Sequence, residues 1–151
     1  MTARIHDEWI RNVHKDRPEI SLEALKRCRS LMDRYVPDCL VEDYEALIPR
    51  VELPDVDDRH VLAAAIRAGA SVIITFNLKD FPSKALESHG IDALSPDEFI
   101  LDVIGLEPEV VLESAQKTWQ RLRNPPLTWG AYLENLTRCR LVKTARWLSQ
   151  Q

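Results

Sequence analysis

Glycine and cysteine are scarce in this sequence. Its 151 residues include four glycines and three cysteines. Four scattered glycines do not form the glycine-rich loop that binds phosphate groups in nucleotide-binding proteins. The cysteines (Cys28, Cys39 and Cys139) contain no Cys-x-x-Cys pair, which argues against a thiolate zinc site. Their odd number fits a reducing cytoplasm, where we expect them to pack as small buried hydrophobic residues.

Long apolar runs are also missing. No stretch approaches the ~18 apolar residues of a transmembrane helix. The N-terminus, MTARIHDEWI, is charged and has no apolar centre of the kind found in secretory signals. We therefore expect a cytoplasmic protein with no membrane partner. A length of 151 residues with 45% apolar residues indicates one globular domain, or one domain with a small appendage.

An overall excess of positive charge is absent, since the formal net charge is −4. This excludes a uniformly basic nucleic-acid coat. The charge is unevenly distributed: residues 1–113 carry 13 basic and 23 acidic groups, whereas residues 114–151 carry 7 basic and 1 acidic. Such a division favours one surface that binds cations and another that meets a polyanion.

Hydrophobic periodicity predicts alternating helices and strands. Apolar stripes Ile5–Trp9–Val13 and Leu22–Leu25–Cys28–Met32 predict two helices, with Ser21 as the N-cap of the second and Pro37 at its end. Strands are predicted over 38–42, 71–75 and 91–94, and the apolar run 71–75 is typical of a strand buried on both faces. Helices are predicted near 60–68, 82–89 and 96–104, and in the tail. The class is therefore α/β with a parallel sheet, with an all-helical end from about residue 96.

Capping signals support three of these helices. Alanines and a closing Gly69 indicate that the helix near residue 60 packs tightly against a neighbour. Ser95-Pro-Asp-Glu98 has the form of a capping box, and Thr128 can cap a helix in the tail.

Acidic residues fall at the ends of several elements. Asp55, Asp57 and Asp58 precede the helix near residue 60, and Asp80 follows the strand at 71–75. Ligands of open α/β sheets bind at the carboxyl ends of the strands. Glu8 lies on the first helix. Carboxylate oxygens suit Mg²⁺ or Mn²⁺, and such an ion can generate hydroxide and stabilise a phosphodiester transition state.

Each of these acids also has a simpler interpretation. Asp55 and Asp57 can be helix N-caps, and Asp58 can complement the helix dipole. Asp80 can cap the helix that begins near Pro82, and Glu8 can be a solvated helical residue. The residues alone leave both interpretations open. Likewise, Trp119, Trp129 and Trp147 can stack on nucleobases or pack in the interior.

Three motifs resemble the PIN-domain family, and most of all its VapC-type toxin branch with a helical C-terminal extension. They are residues 4–12 (RIHDEWIRN), 53–65 (LPDVDDRHVLAAA) and 74–82 (ITFNLKDFP). The resemblance covers residues 4–100 well and the helical tail less diagnostically. It implies a three-layer α/β/α fold, with a PIN-like domain over residues 1–95 and a helical extension over 96–151.

The resemblance also implies an activity and its residues. Members of the family use an acidic cluster to bind Mg²⁺ or Mn²⁺ and cut RNA, and many are toxins neutralised by an antitoxin. Metal binding and catalysis fall to Glu8, Asp58 and Asp80, with Asp57 as a neighbouring metal ligand. Asn77 and Thr75 support the site. Candidate RNA-binding residues in the basic tail are Arg121, Arg123, Arg138, Arg140 and Lys143.

The family pattern begins with an apolar strand that ends in an aspartate and lies at the centre of the sheet. No such strand precedes the motif that contains Glu8, so roughly 40 to 50 expected residues are absent, as judged from ordinary element lengths. We therefore expect the sheet to lack its central strand and the cluster to lack one carboxylate. The strand at 71–75 would then have an apolar edge, which predicts a homodimer or higher oligomer.

Three functions follow as hypotheses. The first is a metal-dependent endoribonuclease of the toxin–antitoxin type. The second is a catalytically impaired, truncated PIN protein that binds an antitoxin or another partner. The third is a non-catalytic RNA-binding module that acts through residues 114–151.

Overall fold

The computed structural model of the protein describes residues 1–36 and 38–151. Pro37, the predicted end of the second helix, lies outside the described residues. The helices are α1 (Ala3–Asp16), α2 (Leu22–Tyr35), α3 (Arg59–Arg67), α4 (Ser83–Leu86), α5 (Pro96–Leu106), α6 (Pro108–Arg121), α7 (Trp129–Arg138) and α8 (Val142–Leu148). The strands are β1 (Val72–Ile74) and β2 (Asp92–Leu94), and short 3-10 helices span Glu45–Arg50, Leu78–Asp80 and Glu87–His89.

The three predicted N-caps are confirmed. The side-chain oxygens of Ser21, Ser95 and Thr128 each accept a hydrogen bond from the backbone N–H three residues further on, at 3.2, 3.3 and 3.2 Å. Ser95 forms the complete capping box, because the Glu98 carboxylate accepts a hydrogen bond from the Ser95 backbone N–H at 3.0 Å. The sequence predicts these caps because the donor and the acceptor lie within one helical turn of each other.

The chain is divided into two compact units. The first comprises Met1–Ile73 and Lys79–Asp92. Its buried cluster is formed by Ala63 and Ala64 of α3, which pack against Tyr44 beside the 3-10 helix Glu45–Arg50. The small alanine side chains permit this close packing, as the sequence predicts. Helix α3 then ends at Arg67, and Gly69 takes the left-handed conformation (φ +61°) that leads into β1.

The second unit comprises Ile74–Leu78 and Ala93–Gln151. Helix α5 packs on α6 and α8, and α7 packs on α8. Its interior contains Ile104, Tyr132, Ala145 and Leu148. The predicted helical end is thus observed, while the predicted domain boundary at residue 95 stays a prediction.

Strands β1 and β2 form a two-stranded parallel sheet. The α/β class is confirmed by these parallel strands, whereas the three-layer PIN-like arrangement and its missing central strand stay predictions. The prediction that β1 is buried on both faces is wrong: Ile73 is buried but Ile74 is 44% exposed. An apolar run predicts that a strand is covered on both faces, but it does not show whether neighbouring elements are present to cover it.

The strand predicted over residues 38–42 is not formed. The segment instead hydrogen-bonds to the first residue: the Val41 N–H donates to the Met1 carbonyl (2.8 Å), and the Met1 amino group donates to the Cys39 carbonyl (2.9 Å). Asp38 and Asp43 flank it with positive φ angles of 58° and 57°. These two left-handed residues turn the chain at both ends, so the apolar run stays too short to extend into a ladder.

The residues that α1 and α2 bury differ from the predicted apolar stripes. In α1 the buried residues are His6 and Ile10, one position beyond the predicted stripe. In α2 only Leu25 of the predicted stripe is buried. Cys28 and Cys139 are exposed, so the prediction of three buried cysteines is wrong, although all three are free thiols.

Within the described part of the chain, no helix has both the length and the apolar character that crossing a membrane requires.

Candidate metal site

Three aspartates of the first unit converge. Asp55, Asp58 and Asp80 each direct a carboxylate oxygen so that the three atoms lie within 4.8 Å of one another. Asp55 lies in the loop before α3, Asp58 occupies the N-cap position of α3, and Asp80 ends the 3-10 helix Leu78–Asp80. The structure therefore brings together two of the predicted site residues, Asp58 and Asp80, with Asp55, for which the sequence leaves both capping and metal binding open.

The local structure of the loop explains why these carboxylates do not cap α3. Asp58 is the N-cap residue by position, but its side chain makes no capping hydrogen bond. The Asp55 carboxylate instead accepts a hydrogen bond from the Asp57 backbone N–H at 2.8 Å, which tightens the loop. Both carboxylates lie close to that of Asp80.

The pKa of Asp58 reflects its surroundings in this cluster. Partial burial, followed by the negative charges of Asp55 and Asp80, raises the pKa of the Asp58 carboxyl group above its ordinary value. The charge of Glu8 acts in the same direction, and His60 opposes them. A site that makes a carboxylate harder to ionise is one that a cation would stabilise.

Glu8 lies beside this group and is held by two side chains. Its Oε1 accepts a hydrogen bond from Arg4 Nε at 3.0 Å, and its Oε2 lies 3.1 Å from Nε2 of His60. His60 is 1% exposed, and its Nδ1 donates to the Asp57 carbonyl at 2.6 Å. His60 thus connects the α3 loop to α1 and fixes the position of Glu8. Its role was not predicted, because a single histidine without a second histidine nearby gives no sequence signal.

The other predicted site residues are placed differently. The Asp57 carboxylate is exposed and is not part of the cluster, and the backbone of Asp57 makes the hydrogen bonds described above. Thr75 and Asn77 belong to the second unit, where the Asn77 backbone N–H donates to the Thr75 hydroxyl at 3.0 Å. Their supporting role stays a prediction.

The donor set fits a small divalent cation. All three groups are carboxylates, and oxygen ligands are those that Mg²⁺ and Mn²⁺ prefer. Oxygens on opposite sides of a Mg²⁺ ion lie about 4.2 Å apart, twice the usual bond length. Three ligand oxygens can include only one such opposite pair, and neighbouring ligand oxygens lie about 3 Å apart, so the cluster would need to contract by up to about 1.8 Å to share an ion.

The predicted RNA-binding cations differ in their surroundings. Arg138 forms an ion pair with Glu134 (3.7 Å), and the Arg140 guanidinium stacks 4.7 Å above the ring centroid of Phe76. Arg121 and Arg123 line one cleft at the end of α6. Lys143 lies at the start of α8, where its backbone N–H donates to Asp97 at 2.9 Å.

The tryptophans of the tail serve an internal role. Trp119 Nε1 donates to the Leu127 carbonyl at 2.7 Å, and its ring meets Trp129 edge to face at 5.4 Å. Trp129 in turn lies 5.4 Å from Tyr132. Trp119 and Trp129 therefore take part in packing within the tail, as the interior interpretation expects.

Comparison with known proteins agrees with the motifs. Residues 96–150 match the family described as the VapC50 C-terminal domain. The chain is 44% identical over 79 residues to the protein named "Putative ribonuclease VapC50" of Mycobacterium tuberculosis, an alignment that covers 52% of this chain and 47% of the relative. No solved structure matches the chain.

Together these matches confirm the predicted resemblance to VapC-type proteins. The chain spans about half the length of the curated relative that it matches.

Proposed function

We propose that the chain is a metal-dependent endoribonuclease of the VapC type, which hydrolyses RNA phosphodiester bonds in the cytoplasm. The observation that supports this most directly is the convergence of Asp55, Asp58 and Asp80 within 4.8 Å. The name of the similar mycobacterial protein supports the substrate class. Mg²⁺ or Mn²⁺ is the cation that the three carboxylates would hold.

The residues of the site would divide the work. Asp58 and Asp80 would bind the ion, and Asp55 would complete a carboxylate set on one side of it. Glu8 would orient water near the site, because its oxygens already face Arg4 and His60 rather than the cluster. When bound, the ion would supply a hydroxide nucleophile and charge stabilisation for the pentavalent phosphorus.

Cleavage of RNA by the purified chain tests this proposal. A 5′-labelled RNA should be cut with Mn²⁺ or Mg²⁺ present and should remain intact with EDTA. The activity should return when excess metal is added to the EDTA sample. Cleavage that is equally fast in EDTA would contradict the proposed metal dependence, and an absence of cleavage under all conditions would favour a partner-binding role.

His60→Ala should weaken the site without removing a ligand. We expect a roughly 10- to 100-fold lower cleavage rate at limiting Mn²⁺, because groups that orient metal-site residues typically have effects of this size. The rate should recover at saturating Mn²⁺. His89→Ala, which removes an exposed histidine of the same unit, is the control. A deficit that persists at saturating Mn²⁺ would show that His60 does more than hold Glu8.

A protein partner is the second candidate function, and exposed apolar side chains on α2 favour it. Leu31, Met32 and Tyr35 are 42%, 41% and 77% exposed. We propose that an antitoxin covers such a surface in the cell. Tight binding of a neighbouring-gene antitoxin to a chain that cuts no RNA would support the partner-binding role alone.

Self-association is the third expectation. Among the described residues β1 pairs with β2 alone, and Ile74 at its end is 44% exposed. We expect a dimer or larger species in sedimentation velocity, since an unpaired apolar strand edge favours pairing with another chain. Ile74→Lys should shift the distribution toward monomer. A wild-type chain that sediments as a monomer at high micromolar concentration would refute this expectation.

A further inference from the structure

A cleft at the end of α6 has the composition of a nucleotide-binding subsite. It has a volume of about 520 Å³, within the range of small-ligand pockets. Two guanidinium groups, two carboxamides and three apolar side chains surround it. The residues are Arg121, Arg123, Asn124, Asn135, Leu122, Pro125 and Leu127.

The two arginines of the cleft are available to an anion. Within residues 1–36 and 38–151, no carboxylate oxygen lies within 4.0 Å of the Arg121 or Arg123 guanidinium nitrogens. This distinguishes them from Arg138, which is paired with Glu134, and from Arg140, which stacks on Phe76. Guanidinium groups bind phosphate oxygens through paired N–H donors.

The walls of the cleft are fixed by the aromatic residues behind them. Trp119 donates its indole N–H to the carbonyl of Leu127, a cleft residue, at 2.7 Å. Its ring packs against Trp129, the first residue of α7, and Asn135 extends from the same helix. The backbone bridge between Arg123 and Pro126 closes the loop. These contacts hold the backbone of the cleft wall in place.

From this arrangement we infer that the cleft binds one nucleotide of single-stranded RNA, with its phosphates on Arg121 and Arg123 and its base beside Asn124 and Asn135. Carboxamides recognise base edges, and apolar side chains pack against base faces, so the mixed lining suits a nucleotide better than a bare anion. The bases of a duplex are stacked inside the helix, whereas those of a single strand can enter a cleft. This inference rests on the proposed RNA substrate and adds a binding subsite to it.

Fluorescence anisotropy with a labelled single-stranded RNA tests the subsite. The full chain is titrated in EDTA, so that binding is measured without cleavage, at several KCl concentrations. Arg121→Gln/Arg123→Gln should bind at least about 10-fold more weakly than the wild type. The slope of log affinity against log salt should fall by about 1.4, or ~0.7 for each lost phosphate contact.

Lys117→Gln/Arg146→Gln is the matched control, because it removes the same charge from the same helical unit outside the cleft. It should weaken binding by less than about threefold. Asn135→Asp is a second test, since it places a negative charge in the cleft without removing an arginine. Circular dichroism establishes that each variant is folded.

Several results would overturn the inference. Equal losses in the cleft and control variants would show that only the overall charge matters. Equal competition by polyglutamate would show a general anion-binding surface, and tighter binding of a duplex of the same sequence would contradict single-strand recognition. Failure of the wild type to bind RNA would refute it outright.

The two proposals fail separately. If the chain binds RNA through the cleft but never cuts it, the subsite is supported and the nuclease function is refuted. If the chain cuts RNA but its cleft variants bind RNA like the wild type, the nuclease function is supported and the subsite is refuted.

Discussion

Asp58→Asn is expected to lower metal-dependent RNA cleavage by about a thousandfold, the effect of losing roughly 4 kcal/mol of transition-state stabilisation. Asp58 lies close to Asp55 and Asp80 and has the partly buried carboxylate whose ionisation these neighbours oppose. An asparagine keeps the shape but supplies a neutral oxygen, which binds Mg²⁺ or Mn²⁺ far less strongly. Single-turnover cleavage at saturating Mn²⁺ measures the loss.

The same substitution should stabilise the metal-free protein. Because the folded-state pKa of Asp58 is raised, the wild-type fold favours the protonated carboxyl group. Its stability contribution is present at low pH and is lost as the pH rises through that folded pKa. Asp58→Asn carries no such charge, so its melting temperature in EDTA should exceed that of the wild type at neutral pH.

Mn²⁺ should reverse this order, since it stabilises the wild type by binding the folded state. Asp16→Asn, a change at an exposed acid that ends α1, is the control for loss of one negative charge. It should retain both cleavage and the Mn²⁺-dependent rise in melting temperature. A variant at Asp58 that still cuts at the wild-type rate would remove this residue from the site.

Asp97→Ala is expected to lower the free energy of unfolding of the helical unit by about 3 kcal/mol. Asp97 lies in the first turn of α5 and is 7% exposed. Its carboxylate accepts hydrogen bonds from the backbone N–H groups of Lys143 and Thr144 at 2.9 Å each, and from the Thr144 hydroxyl at 2.7 Å. Alanine would leave these donors without a partner, and Thr144 is itself buried.

The effect should depend on pH in a defined direction. Burial alone would raise the pKa of Asp97, but the hydrogen bonds from Thr144 and Lys143 outweigh it and lower the pKa below its ordinary value. The stabilisation is therefore present above the ordinary carboxyl pKa and is lost as the pH falls through the folded value. Urea unfolding at neutral and acidic pH should show the variant and the wild type converging in acid.

Asp102→Ala is the matched control, because it removes an exposed acid from the same helix. It should change the free energy of unfolding by less than about 0.5 kcal/mol, as is usual for surface substitutions. Equal effects at Asp97 and Asp102 would contradict the capping role assigned to Asp97.

Asp97 also illustrates which features the sequence could not reveal. Its position in a capping box predicts a local role at the start of α5, and that role is confirmed for Ser95 and Glu98. Helix α8 begins after Leu141, which provides no capping side chain. The missing cap is supplied by Asp97, which precedes Thr144 by 47 residues. A contact over this distance in the chain depends on tertiary packing, which short-range patterns do not encode.

The acidic cluster was predictable to a similar extent. Asp58 and Asp80 lie at element ends that an α/β sheet brings together, so their convergence follows from the predicted order of elements. The sequence leaves both roles of Asp55 open, because an aspartate before a helix can either cap it or contribute to a metal site. The three-dimensional structure separates the two roles: the Asp55 carboxylate accepts a hydrogen bond from the Asp57 N–H and lies within the cluster. The resemblance of residues 53–65 and 74–82 to the PIN-domain family supplied the chemistry that the spacing left open.

The stacking of Arg140 on Phe76 affects how the helical tail can be exchanged between related proteins. Arg140 lies at the left-handed turn between α7 and α8 (φ +66°), and Phe76 lies in the segment that joins β1 to the 3-10 helix ending at Asp80. A tail transplanted from a relative would therefore have to bring a cation to this turn, or the recipient's Phe76 would lose its partner. A chimera built by joining sequences at residue 95 would therefore take these two contacting residues from different parent proteins.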